Sequence, residues 1–94
     1  MSETREIRLK RLHMRSIRRG IKEMDIILGN FSEHALPDLS DLELETYDRL
    51  LAENDQDLYQ WVTGQALTPV QYIDIMTKIS DHSLRATVAL GRQI

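Results

Sequence analysis

The residues of this chain best suited to chemistry are suited to recognition: Arg18-Arg19-Gly20-Ile21-Lys22-Glu23-Met24-Asp25. A glycine and opposite charges stand here between two stretches of helical apolar periodicity. A residue without a Cβ at such a place either ends a helix or lets another backbone come very close. Arg19 and Glu23 are four apart, so on a continuous helix they would pair for ~0.3 to 0.5 kcal/mol, less than the ~1 kcal/mol that glycine costs against alanine. The glycine therefore needs another reason, either a C-cap or close approach by a partner backbone. Arg18, Asp25 and Arg15 are its charged neighbours.

Bond-making chemistry finds no constellation. His13, His34 and His82 are far apart in sequence with no paired helical spacing, which excludes a recognisable metal motif. There is no cysteine, hence no disulfide, thiolate ligand or thiol nucleophile. The glycines at 20, 29, 64 and 91 stand singly and form no phosphate loop. Glu43, Glu45, Asp48, Glu53, Asp55 and Asp57 make a dense acidic run. Helix caps and first turns account for two or three of these, and the rest are expected to face water. Trp61 and Tyr59 could stack on a flavin or a base, but a tryptophan at a helical core position is better read as core. The chain is therefore expected to be no enzyme and to bind neither metal nor cofactor.

The elements that must position the motif are all helical, and no alternating strand pattern appears. A first helix is predicted over Glu3 to Arg18, and Arg8, Arg11, Arg15, Arg18 and Lys22 form one stripe if it stays continuous through Gly20. Its apolar residues divide, Ile7, Met14 and Ile17 on one side and Leu9 and Leu12 on another. A second helix runs from about Ile21 to Glu33, with Ile21, Met24, Ile27, Leu28 and Phe31 on a core face, and Pro37 forbids its continuation. Ser40-Asp41-Leu42-Glu43 is a capping box that opens a third helix at Asp41. Asn54 to Asp57 cap a fourth, in which Leu58, Trp61 and Val62 point inward with Trp61 as anchor, and Gly64 stops it. Thr68-Pro69-Val70-Gln71 reads as threonine N-cap, proline N1 and glutamine N3 of a fifth. The expectation is an all-α single domain over 1–94, a bundle of five helices, with the first few residues and 85–94 as flexible tails.

Ninety-four residues bound the chain to one domain of modest core. No apolar run approaches the ~20 residues of a membrane span, and the basic start is interrupted by Glu3 and Glu6, unlike a presequence. These features suggest a soluble, cytoplasmic protein without a membrane partner. The net charge of -3 hides a split: residues 1–22 hold eight basic against two acidic side chains, and the remainder four basic against thirteen acidic. Such a split suggests oriented docking on another molecule.

The order Arg-Gly-x-x-Glu at Arg19, Gly20 and Glu23, followed by Asp25 and the apolar Ile26 to Leu28, resembles the small flavinylation factors of succinate dehydrogenase, also called succinate dehydrogenase assembly factors. The resemblance takes in the basic helix before the motif, Leu50-Leu51-Ala52-Glu53, Asp55-Gln56-Asp57-Leu58 and Trp61, from roughly Leu9 to Met76. It implies a protein that binds the succinate dehydrogenase flavoprotein subunit, and in bacteria often the fumarate reductase flavoprotein subunit, and promotes covalent attachment of FAD to it; the start signals and apolar faces of the segments separately predict that the free chain is a helical monomer. FAD would belong to the partner. Carried over by position, Arg19, Gly20 and Glu23 form the interface with Arg18, Asp25 and Arg15 beside them, while Asp55, Asp57 and Trp61 serve structure.

Two alternatives stand beside it: a nucleic-acid binder tracking phosphates with the basic stripe, and a small regulatory or antitoxin-like partner of another protein. The acidic remainder, a pI near 5.5 and the lack of an aromatic residue before Phe31 count against nucleic acid.

Overall fold

A computed structural model describes the backbone of residues 3–89 and the side chains of residues 3–85. Among the described residues the secondary structure is entirely helical: α1 Arg5–Ser16, α2 Lys22–His34, α3 Asp41–Leu50, α4 Asp55–Val62 and α5 Ile73–Ala89. Short 3-10 turns at Leu36–Asp38 and Val70–Tyr72 join α2 to α3 and lead into α5. The first two residues and the last five lie outside the description, as does the part of the tail expectation that falls on them. Within the description, α5 is helical past Leu84 as far as Ala89.

Local signals account for most starts and stops. Thr4 Oγ1 accepts the Ile7 N–H at 3.2 Å and opens α1. The capping box forms at α3, with Glu43 N–H donating to Ser40 Oγ at 3.1 Å and Ser40 N–H to Glu43 Oε1 at 2.9 Å. That backbone hydrogen bond, aided by Lys78, holds the Glu43 carboxyl below its usual range. Asn54 Oδ1 accepts the Gln56 N–H at 2.7 Å and opens α4. Gly64 follows α4 at φ +79, the left-handed conformation that a helix stop favours.

Two boundaries differ from expectation. α1 ends at Ser16, and Ile17 is its C-cap at φ −100 with its N–H bonded to His13 O. The helix therefore stops before the charged motif and does not run through Gly20, so the basic stripe is broken after Arg15. Thr68 caps nothing, because Pro69 is extended at ψ 144 and the next three residues make a 3-10 turn in which Tyr72 N–H reaches Pro69 O at 2.9 Å.

Every element contributes to one core. Leu12 of α1, Met24, Leu28 and Phe31 of α2, Leu44, Tyr47 and Leu50 of α3, Leu58 of α4 and Ile79 of α5 are essentially inaccessible to solvent. Burial of such side chains is the main stabilising term, about 1.5 to 3 kcal/mol for each. Leu58 anchors α4. Trp61 sits at the rim, partly buried with its ring centroid 6.0 Å from that of Tyr72, so the anchor role expected of it belongs to its neighbour one turn earlier. The division of α1 resolves in one direction: Leu9 and Leu12 face inward, and Ile7, Met14 and Ile17 are exposed.

One polar link fastens α1 to α3 inside this core. Ser16 Oγ donates to Leu12 O at 2.7 Å, which commits its single proton, so the Tyr47 hydroxyl 2.6 Å away is the donor to Ser16 Oγ. Burial pushes the Tyr47 phenol up to about 12.

Candidate partner-binding surface

Residues 18–20 cross from α1 to α2 without helical hydrogen bonding, and side chains from other elements set their course. Arg19 points inward. Its side chain is only 9% exposed, with Nε 2.7 Å from Asp55 Oδ1, Nη1 2.8 Å from Leu51 O and Nη2 3.2 Å from Glu53 O. The guanidinium thus bonds two carbonyls of the turn between α3 and α4 and the first carboxylate of α4. Its backbone N–H donates to Asp25 Oδ1 at 2.5 Å. The next N–H, that of Gly20, donates to Asp55 Oδ2 at 2.6 Å.

This arrangement gives the glycine a reason within the chain and rules out the C-cap route. The C-cap is Ile17, and Gly64 is the sole positive-φ residue among those described. Close approach does occur, but from within the chain, since a Cβ at Gly20 would stand 3.2 Å from Asp55 Oδ2. Arg19 and Glu23 form no pair, because Arg19 lies outside any helix and is turned toward α4.

The six residues expected at the interface therefore separate. Arg18, Gly20 and Glu23 are exposed, and Arg18 and Glu23 have no ion-pair or side-chain hydrogen-bond partner among the described residues. Asp25 is committed to the Arg19 amide. Arg15 is bonded to Asp48 Oδ1, and Arg11 reaches Asp48 Oδ2 at 3.0 Å and Glu3 Oε2 at 2.7 Å. The Arg11 hydrogen bond, with Arg15 beside it, holds the Asp48 carboxyl below its usual range. A shallow groove of about 260 Å³ lies against the motif, lined by Met14, Arg15, Arg18 and Arg19.

Most of the acidic run is engaged within the chain, while Glu45 and Asp57 are exposed as expected. Glu43 caps α3, Glu45 pairs with Arg49 at 2.7 Å, Asp48 holds Arg11 and Arg15, Glu53 accepts the Tyr72 hydroxyl at 2.8 Å, and Asp55 holds Arg19. Much of the charge split between the first 22 residues and the rest is thus satisfied inside the molecule, with Arg5 and Asp41 at 2.8 Å adding a further link. The split itself was the signal for these contacts, and it was open to an internal as well as an external reading. The histidines are also closer than their spacing suggests: His34 and His82 stack with centroids 6.0 Å apart, each with a ring nitrogen about 3.0 Å from Asn30 Oδ1. No group of three metal-ligating side chains gathers among the described residues. No helix among them is long and apolar enough to cross a membrane.

The chain is thus a five-helix domain whose inter-helix segment is held by enclosed charges, with Arg18 exposed within that segment and Glu23 exposed just beyond it. Similarity to known proteins specifies it. The family model described as flavinator of succinate dehydrogenase matches residues 10–83, and the chain belongs to that family. Proteins named succinate dehydrogenase assembly factor 2, mitochondrial, are similar to it: that of Meyerozyma guilliermondii is 48% identical over 61 residues, covering 65% of this chain and 45% of the relative. The Drosophila grimshawi protein is 39% identical over 79 residues, covering 81% and 54%, and that of Mycosarcoma maydis 33% over 93 residues, covering 99% and 36%. The chain spans about half or less of the length of these relatives. Family and relatives favour assembly of succinate dehydrogenase over nucleic-acid binding and over an antitoxin-like role. The cytoplasmic location expected from the basic, acid-interrupted N-terminus is overturned, because the relatives are named as mitochondrial proteins.

Proposed function

We propose that this chain binds the flavoprotein subunit of succinate dehydrogenase and promotes covalent attachment of FAD to it, without itself catalysing the linkage. The observation that carries this reading is the family match across residues 10–83, which includes the Arg19-Gly20-x-x-Glu23 segment and the Asp55 that holds it. FAD belongs to the partner. The chain contributes a docking surface that keeps the subunit in a geometry where its own groups complete the linkage, a positioning effect that can change rates by orders of magnitude. The relatives described above are named for succinate dehydrogenase, so the proposal is confined to that enzyme and is not extended to fumarate reductase.

The partner-facing residues are Arg18, Gly20 and Glu23, which are exposed beside the groove at Met14. Co-expression with the flavoprotein subunit tests the reading. Flavin fluorescence that persists on a denaturing gel, and depends on this chain, is expected; equal fluorescence with and without the chain would overturn it.

A further inference from the structure

We propose that Asp55, assisted by Asp25, is a positioning residue for the docking surface: it shapes residues 17–21 from behind, so that Arg18, the Gly20 backbone and Glu23 meet the partner while Arg19 does not. This inference rests on the function proposed above.

Two consecutive amides of the connecting segment are each received by a carboxylate, Arg19 N–H by Asp25 Oδ1 at 2.5 Å and Gly20 N–H by Asp55 Oδ2 at 2.6 Å. The other Asp55 oxygen takes Arg19 Nε at 2.7 Å. One carboxylate of α4 thus fixes both the side chain of residue 19 and the backbone of residue 20. Residues 18–20 of the segment have no helical ladder and no left-handed residue to determine their path. Without these contacts it would have to be ordered at the moment of docking, at a cost in conformational entropy that would weaken binding. Arg19, nine-tenths enclosed and bonded to Leu51 O and Glu53 O, is already saturated with acceptors from its own chain.

Asp55→Asn separates this role from a general one, because an amide cannot accept from both Arg19 Nε and Gly20 N–H as the carboxylate does. Binding of the full chain to the not yet flavinylated, FAD-loaded flavoprotein subunit is measured beside amide hydrogen exchange in the free protein. The expected result is binding weakened at least tenfold under conditions where the variant stays folded, with Arg19 and Gly20 amide exchange accelerated at least tenfold more than exchange at the core amides of Leu28 and Ile79, which report the loss of global stability. Wild-type affinity in the variant would overturn the proposal, as would lost binding with Gly20 exchange unchanged, or equal acceleration at every amide. Should the variant fail to fold, Asp55→Glu, which keeps the charge and displaces it by one methylene, is judged by the same criteria. Failure of the wild-type chain to bind the subunit would instead overturn the proposed function, and the exchange comparison would still decide whether Asp55 shapes the segment.

Discussion

Arg19 Nε lies 2.7 Å from Asp55 Oδ1 across 36 positions of sequence, in a pair whose side chains are 9% and 17% exposed. Breaking one partner of an enclosed pair leaves an uncompensated charge, which costs about 3 kcal/mol or more. Arg19→Ala should therefore lower the melting temperature by more than about 10 °C in a domain of this size. An unchanged melting temperature would show that Arg19 contributes little to the fold.

Arg18→Ala and Glu23→Ala should behave in the opposite way. Both side chains are exposed and unpaired among the described residues, so each change should cost the fold less than about 0.5 kcal/mol. At the centre of an interface, however, such residues can each contribute about 2 kcal/mol or more. Melting curves that overlay the wild type, together with reduced flavin attachment in the co-expression assay, are the expected pair of results. Full attachment in both variants would remove these residues from the docking surface.

Gly20 needs no positive φ, so its substitution is decided by space alone. Gly20→Ala asks Asp55 Oδ2 to retreat a few tenths of an ångström from a Cβ at 3.2 Å. Gly20→Val adds two methyl groups at the same place and should detach the carboxylate from the Gly20 amide. A graded series is expected in flavin attachment, with wild type above alanine and alanine above valine. Both variants should keep a helical far-ultraviolet spectrum. Equal activity across the series would show that the packing of Asp55 on Gly20 is irrelevant to docking.

Asp48 supplies an acid limb to stability. Its folded pKa is depressed by the Arg11 hydrogen bond and by Arg15, so its contribution is complete above the unfolded value near about 3.9 and is lost as pH falls through the lower folded value. Denaturant midpoints of wild type and Asp48→Asn should differ at neutral pH and converge in strong acid. Curves that stay parallel throughout would show that the carboxylate is not coupled to folding.

Tyr47 supplies the corresponding alkaline limb. Burial raises its folded value to about 12, so stability is complete below the ordinary value of about 10 and falls as pH rises through 12. Tyr47→Phe should lack this limb. At neutral pH it should lose only about 1 kcal/mol, because Ser16 Oγ keeps its bond to Leu12 O and no donor is orphaned. Identical alkaline midpoints for the two proteins would contradict the assignment.

What could be read from the sequence was what a few neighbouring residues decide. The Ser40 and Glu43 box, the Asn54 cap and the Gly64 stop are complete within three residues or depend on one backbone angle, and all form as expected. The core face of α2 was equally legible, because Met24, Leu28 and Phe31 follow the helical period. Thr68 misled because proline immediately before a tight turn satisfies the same pattern as proline at N1. Arg19 misled for a different reason. Its partner lies in another helix, and no periodicity links an arginine after α1 to an aspartate that opens α4. Asp48 and Asp55 likewise read as solvated until their arginines are brought to them from α1 and the segment after it.

The span between Arg19 and Asp55 also places the docking surface in time. A growing chain releases the Arg-Gly segment early, but the carboxylate that shapes it is added 36 residues later, a delay of about 2 to 7 s at usual synthesis rates. Until α4 has begun, Gly20 has no acceptor from Asp55 and Arg19 no counter-ion there. A nascent chain can therefore expose the motif before the contacts that shape it exist, and the proposed docking surface is complete only once α3 and the start of α4 have been made.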